Sequence, residues 1–374
     1  MRTLKHFTAA AMLCFSSLSV LAQGEKANWY FGKNAGITFR GDTATALTNG
    51  RLMTEEGSAT LSDKEGNLLL YTDGITVWNR NHRVMPNGNG LMGGKSSTQS
   101  ALILPKPGSE NIYYIFTTDI QAQADGLRYS VVDMTRDEGN GDLISKNNFM
   151  IAPATEKLTA VRHSNGRDWW IIAHRWNSNG YLAYLVNQNG VEVQPVMSMV
   201  GTVHGGPNRK AIGYLVPSPD GTRLAAALWD SESNFEILRF DRSTGKVSDP
   251  TLLKGYSEAY GVAFSPDGSK LYGTTNNGKM NKGQVVQFDL NAGDEAAIAK
   301  SAVVVGISGS PTLGALALAP DGKIYVARKD NNYLGVIHKP NLQGKDCGYE
   351  DNGFRLGGRR SDLGLPNFAH GISK

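Results

Sequence analysis

Short apolar runs alternate with clusters of Gly, Asn, Asp and Ser along nearly the whole chain, and 3.6-residue periodicity is almost absent. That pattern predicts strands joined by tight turns and an all-β fold. The runs also repeat. "YGVAFSPDGSKLYGTT" (260–275), "IGYLVPSPDGTRLAAAL" (212–228) and "LGALALAPDGKIYVAR" (313–328) share one plan. Looser copies stand at 57–73, 100–119 and 157–174. Each reads as a strand, a turn and a second, more apolar strand, and Asp-Gly suits the hairpin turn. The turn glycines, Gly66, Gly108, Gly166, Gly221, Gly268 and Gly322, are 42 to 58 residues apart. Four-stranded propeller blades repeat at about 40–50 residues. The second strands, "DWWIIA" and "KIYVA" among them, are apolar almost without alternation, as expected where neighbouring blades cover both faces. A sandwich would alternate more cleanly.

These features predict a β-propeller of four-stranded, WD-repeat-like blades. Six hairpins are visible, so the ring has six blades, or seven if the ends supply another. Seven is preferred. In "GLPNFAHG" (364–371) Gly371 lies one blade spacing beyond Gly322, and "NWYFGKNAGITFR" (28–40) reads as a second strand followed by a third. The expected closure pairs residues 364–370, as an inner strand, with the segment near Trp29–Gly32. Pro366 suits the channel-lining edge, where one donor can be absent.

The start of the chain has a charged segment (Arg2, Lys5), an apolar run, and Val20-Leu21-Ala22. It reads as a signal peptide over 1–22, with a single propeller domain over 23–374. Leu13 before Cys14 argues against lipidation. Losing Arg2 and Lys5 lowers the formal charge from +4 to +2, which gives no drive toward nucleic acid. No further long apolar run suggests membrane insertion. Cys347 is then the sole cysteine, so no internal disulfide is expected. These features predict an exported, monomeric protein that is periplasmic, associated with the outer membrane, or extracellular.

The early "NWYFG…AG…F" (Asn28–Gly32, Ala35-Gly36, Phe39) and the late "GLPNF" (Gly364–Phe368) resemble the propeller modules of secreted Bacteroidota surface proteins. Those modules are linked to gliding and type IX secretion. The PKD-type and C-terminal sorting domains that often accompany them do not follow here. The resemblance implies a binding or structural part and no enzymatic activity.

Motifs for chemistry are sparse. "GNGLMG" (88–93) fits G-x-G-x-x-G but lacks the strand–helix context, and "LMGGKSS" (91–97) lacks the first P-loop glycine. No His pair at helical spacing or Cys pair marks a metal site. His163, His174, His204 and His370 are scattered. No G-x-S-x-G turn is present. One constellation remains. The residues closing the second strands share one face, with the loops that lead into the inner strands. Candidate ligand-binding residues there are Asp73, Asp119, His174, Arg175, Trp176, Trp229, Asp230, Asn276, Arg328 and Lys329. Catalytic and metal-ligating residues are assigned to none, and no cofactor is required, although a divalent cation could sit at this mouth. The leading function is a non-catalytic binding or scaffold propeller engaging protein or glycan at the cell envelope. The alternative is a lactonase- or glycosidase-like hydrolase built on Asp73, Asp119, His174 and Asp230.

Overall fold

The computed structural model describes residues 24–229, 234–276 and 282–373. The proposed signal segment and Asp230 lie outside the described residues. Seven antiparallel sheets stand around one axis as a seven-bladed propeller.

Blade I comprises Ala59–Ser62, Leu68–Thr72, Thr76–Asn79 and Val84–Asn89. Blade II comprises Ala101–Pro105, Ile112–Thr118, Leu127–Asp133 and Asp142–Ile151. Blade III is built on Ala154–Arg162, Trp169–Arg175, Ser178–Asn187 and Val196–His204. A two-residue strand, Gly190–Val191, is added to it. Blade IV runs Leu215–Pro217, Arg223–Leu228, Asn234–Phe240 and Val247–Lys254. Blade V runs Val262–Phe264, Lys270–Thr275, Gln284–Asp289 and Val303–Ile307. Blade VI runs Leu313–Leu318, Ile324–Arg328, Tyr333–Ile337 and Tyr349–Arg355. Blade VII has three strands from the start of the chain: Asn28–Phe31, Ala35–Arg40 and Thr43–Leu47.

All six expected hairpins form the inner and second strands of blades I to VI. Their turn glycines hold φ between 69° and 85°, the left-handed region that only glycine occupies without strain. The second strands are buried along almost their whole length, as in Trp169–Ala173 and Ile324–Arg328. Apolar clusters run between blades. Cys347 is the sole cysteine among the described residues and is buried against Tyr272. No helix among the described residues is long and apolar enough to cross a membrane.

Closure differs in detail from the expected ladder. The ends meet in blade VII through one antiparallel bridge, Lys33 with Arg360, where the Lys33 N–H donates to the Arg360 carbonyl at 2.9 Å. Residues 364–370 do not ladder onto Trp29–Gly32. They turn into the channel and run down it parallel to the inner strands, bridging Pro366 to Ser58 and His370 to Val161. Trp29 fills the inner side of its blade, and Phe368 of the tail packs against it at 5.9 Å between ring centroids. Pro366 has no N–H to give, and Asn367 finds its partners elsewhere in the channel. Its N–H donates to Ser58 O, and its Nδ2 donates to Ala101 O and Leu158 O. At the top of the tail, Gly364 passes so close to Glu56 that a Cβ would overlap the Glu56 carbonyl.

Candidate functional site

The loop face carries the residues that close the second strands, and most of them are structural anchors. Asp73 is buried, and its Oδ1 accepts from the N–H groups of Ile75 and Thr76 at 2.9 and 2.8 Å. Burial raises its carboxyl above the usual range. Asp119 accepts from the Ile120 and Asp125 N–H groups. Asn276 clamps the Leu313 backbone, accepting its N–H at 2.8 Å and donating to its carbonyl at 3.1 Å, which fastens the next blade. Arg328 is buried and ion-paired to Asp351 at 2.8 Å. Trp176 is buried, and Trp229 is partly covered by Arg209 at 5.6 Å. Of the described members of the sequence-derived set, Arg175 and Lys329 are the well-exposed ones. At the blade VII closure Lys33, Asp330 and Arg360 form an exposed network: Lys33–Asp330 at 2.8 Å and Arg360–Asp330 at 3.3 Å. A shallow depression of about 560 Å³ opens beside it, bordered by Asn331, Tyr333 and Arg355.

Sequence reasoning missed what lies beneath. Glu56, Glu156, Lys157 and Glu236 are all buried, next to Thr98, Tyr181 and Tyr260. Thr98 donates to Glu156 through its N–H and its hydroxyl, and Gln121 N–H donates to the other oxygen at 2.8 Å. The Lys157 ammonium donates to the Ile212 and Ala211 carbonyls at 3.0 and 3.4 Å. Tyr181 and Thr202 donate to Glu236. Burial pushes the Glu56, Glu156 and Glu236 carboxyls up, Glu56 further because Glu156 is its neighbour. Burial lowers Lys157 to about 7, against the pull of Glu156 and Glu236. Short 3-10 turns at Ile120–Ala122 and Asn208–Ala211 meet over blade III's inner strand. A sequence signal was available. Glu56, Thr98 and Glu156 each stand ten residues before the turn glycine of their repeat (Gly66, Gly108, Gly166).

His174 was expected at the mouth but is fully buried, its ring stacked on His204 at 3.7 Å. His174 Nδ1 faces the Arg175 carbonyl at 2.9 Å. Burial and nearby Lys157 lower His174 to about 3, and His204 is also held well below the ordinary value. Both rings stay neutral in the folded chain at pH values where the unfolded chain takes up protons. Stability contributed by the pair is therefore lost as pH falls below about 6.5. The expected result is a melting temperature that drops between pH 7.5 and 5 more steeply in the wild type than in His204→Phe. Equal slopes would contradict this reading.

The opposite, turn face also carries depressions. The tail divides the channel mouth there. On the side of blades IV to VI lies a cavity of about 420 Å³, reaching from Val216 to Leu318 and Phe368. On the side of blades I to III, a wider depression of about 820 Å³ lies between Lys64, Tyr113 and Arg167. Among the described residues, no group of three His, Cys, Asp or Glu side chains is arranged to hold a metal ion.

No protein-family model and no curated protein matches the chain. Solved structures do. A Bacteroides uniformis protein, provisionally named a 6-phosphogluconolactonase, superposes with a TM-score of 0.57 at 14% identity, covering 91% of this chain and 98% of that one. A Desulfotomaculum acetoxidans protein of unknown function gives 0.48 at 13% identity, covering 90% and 97%. At 14% identity the likeness to the Bacteroides uniformis protein shows a shared fold alone.

Proposed function

We propose that the chain is a non-catalytic binding or scaffold propeller of the cell envelope, engaging a protein or glycan partner through its loop face. The observation that carries this reading is the exposed Lys33–Asp330–Arg360 network, with Arg175 and Lys329 also exposed on that face. Charges of both signs around a shallow depression suit a polar partner of mixed charge better than a polyanion. The engagement of the Asp73 and Asp119 oxygens by backbone N–H groups also supports it, since those carboxylates are committed to turns. Export and Bacteroidota surface association belong to the same proposal, resting on the leader-like start and the two terminal motifs.

The test is paired mutagenesis against a solubilised envelope fraction. Arg175→Ala with Lys329→Ala is expected to weaken partner capture about tenfold. Asp220→Asn with Asp267→Asn, on the turn face, is expected to leave it unchanged. Loss in the second variant alone, with both folded, places the partner on the wrong face here.

A second reading is a propeller hydrolase. It draws on the printed name of the Bacteroides uniformis neighbour and on the adjacent buried carboxyls of Glu56 and Glu156, since strongly perturbed acids concentrate at functional sites. Turnover of 6-phosphogluconolactone, abolished by Glu56→Gln, would replace the first reading with this one.

A further inference from the structure

We propose that the outer edge of blade III, where it faces blade II, is a docking site for an extended segment of a protein partner, with apolar side chains at alternate positions and an acidic residue at its loop-face end. This rests on the binding-propeller reading above and names the partner's chemistry at Arg175. The outer strand Val196–His204 contains no acid, Lys, Arg or Pro. Charges and prolines keep exposed sheet edges from pairing with other chains. The outer strands of blades I, II, IV and VI carry them, Pro86, Lys146, Pro250 and Glu350 among others. Those of blades V and VII do not, but they are five residues long, against nine here. Pairing to the third strand is regular over Val196–Met199, and the chain then bulges before rejoining it at His204. That regular stretch is the edge a further strand can join.

The sheet face beside that edge is apolar. The Ser198 hydroxyl accepts from the Val247 N–H of blade IV, so residues 197 and 199 point the other way, toward blade II. Met197 and Met199 are 46% and 59% exposed there. Outer strands pack together between blades I and II and between III and IV, and the seam of blades II and III lies between those pairs. Across it, Tyr129, Val131 and Ile151 of blade II are partly buried. Tyr129 stands edge-on to Tyr114, whose hydroxyl would lie 3.6 Å from a Cβ at Gly190 of blade III, so this face of blade II is turned to blade III. Methionine adapts its shape to varied apolar side chains, which suits a docking surface. Arg175 sets the charge. It shares the face of Met199, for a Cβ at Gly180 would lie 3.3 Å from Met199 Sδ and 3.8 Å from Arg175 Cβ. Arg175 is exposed, and no described residue engages its guanidinium. An acid on the partner meets this free cation at the loop-face end, while the apolar positions cover Met199 and Met197.

The probe is a fluorescein-labelled peptide with blocked ends, Asp-Ile-Thr-Ile-Thr-Ile, followed by fluorescence anisotropy. Saturable binding is expected, about fivefold weaker for the peptide with Lys in place of Asp. Met199→Lys places a charge on the edge and is expected to weaken binding about tenfold. Arg175→Glu is expected to reverse the preference between the two peptides. Val304→Lys, on the outer strand of blade V, is expected to change nothing. The three substituted side chains are exposed, so each variant keeps the fold. Absence of saturable binding, or binding untouched by Met199→Lys, overturns the site. Equal affinity for the two peptides in the wild type, or no reversal in Arg175→Glu, overturns the acidic partner. Capture from the envelope fraction is a separate readout. If Met199→Lys leaves it intact while Arg175→Ala with Lys329→Ala weakens it, the loop-face reading stands and this site falls.

Discussion

Deleting residues 363–374 is expected to lower the melting temperature by about 7 °C, although it removes no strand of any blade ladder. The tail is a strut across the channel. Its Leu363 N–H donates to Glu55 O, and its Leu363 carbonyl accepts from Ala315, both at 2.8 Å, joining blades I and VI. Lower down, His370 N–H donates to Ala160 O of blade III at 2.9 Å. Leu365 and Ile372 are almost wholly buried, and each such side chain contributes about 1.5–3 kcal/mol. Phe368 adds its contact with Trp29. Much of the polar loss is recovered by water entering the opened channel, so the apolar term dominates. The sum is about 5 kcal/mol, and for a chain of this size each kcal/mol moves the midpoint by about 1.4 °C. A point variant isolates the cause. Gly364→Ala keeps every tail residue but drives a Cβ into the Glu56 backbone, so it should reproduce much of the loss. A deletion that shifts the midpoint by less than about 2 °C would mean that the blades close the ring unaided.

Lys157→Met is expected to cost about 3–5 kcal/mol, the usual penalty for removing one member of a buried charged cluster. The ammonium is fully buried, and its charge favours the ionised form of both Glu156 and Glu236. Without it, two carboxyls remain in a dry site and two backbone carbonyls lose their donor. The pH dependence gives the diagnostic. The carboxyls are raised in the folded chain, so the folded state holds protons that the unfolded state has released above about 4.5. Stability from these groups therefore rises as pH falls through that window, and a protonated carboxyl needs no cation. The variant's deficit should be smaller at pH 5 than at pH 8. Lys157 itself, lowered to about 7, gives the wild type a gain in stability as pH rises from there toward 10.5. The variant lacks that gain. Urea denaturation at the two pH values measures both effects, and a deficit independent of pH would show that packing, not charge, was lost. Glu156→Gln added to Lys157→Met should restore part of the stability.

The loop-face residues changed their meaning between sequence and structure. Asp73, Asp119, Asn276 and Arg328 were recognisable as polar residues closing second strands, and they do stand there. Their position was legible because strand and turn are local patterns. Their orientation was not, since whether a carboxylate faces solvent or caps two N–H groups depends on the next few backbone dihedrals. His174 shows the same limit. Its partner His204 lies 30 residues on, at the end of the outer strand of the same blade, and nothing in either local sequence marks the pairing.

By itself the sequence determined the architecture. Asp-Gly turns at blade spacing and unbroken apolar second strands specify hairpins that must bury both faces, and a ring of blades does that. The terminal "GLPNF" was readable from its glycine spacing as a segment belonging to the inner side of the ring, but not its path: the ends pair at Lys33 and Arg360, and the segment itself bridges Ser58 and Val161. Only the tertiary structure decided what lies at the axis. Glu56, Glu156 and Lys157 come from two different repeats, and the tail adds Leu363 and Gly364 beside them from the far end of the chain. They meet as one buried cluster, and Pro366 to His370, bridging Ser58 of the blade I side and Val161 of blade III, line the cavity of the turn face. Periodicity reports what each residue does among its neighbours in sequence. The axis of a propeller is where residues far apart in sequence meet, so its contents follow from closure and not from any repeat.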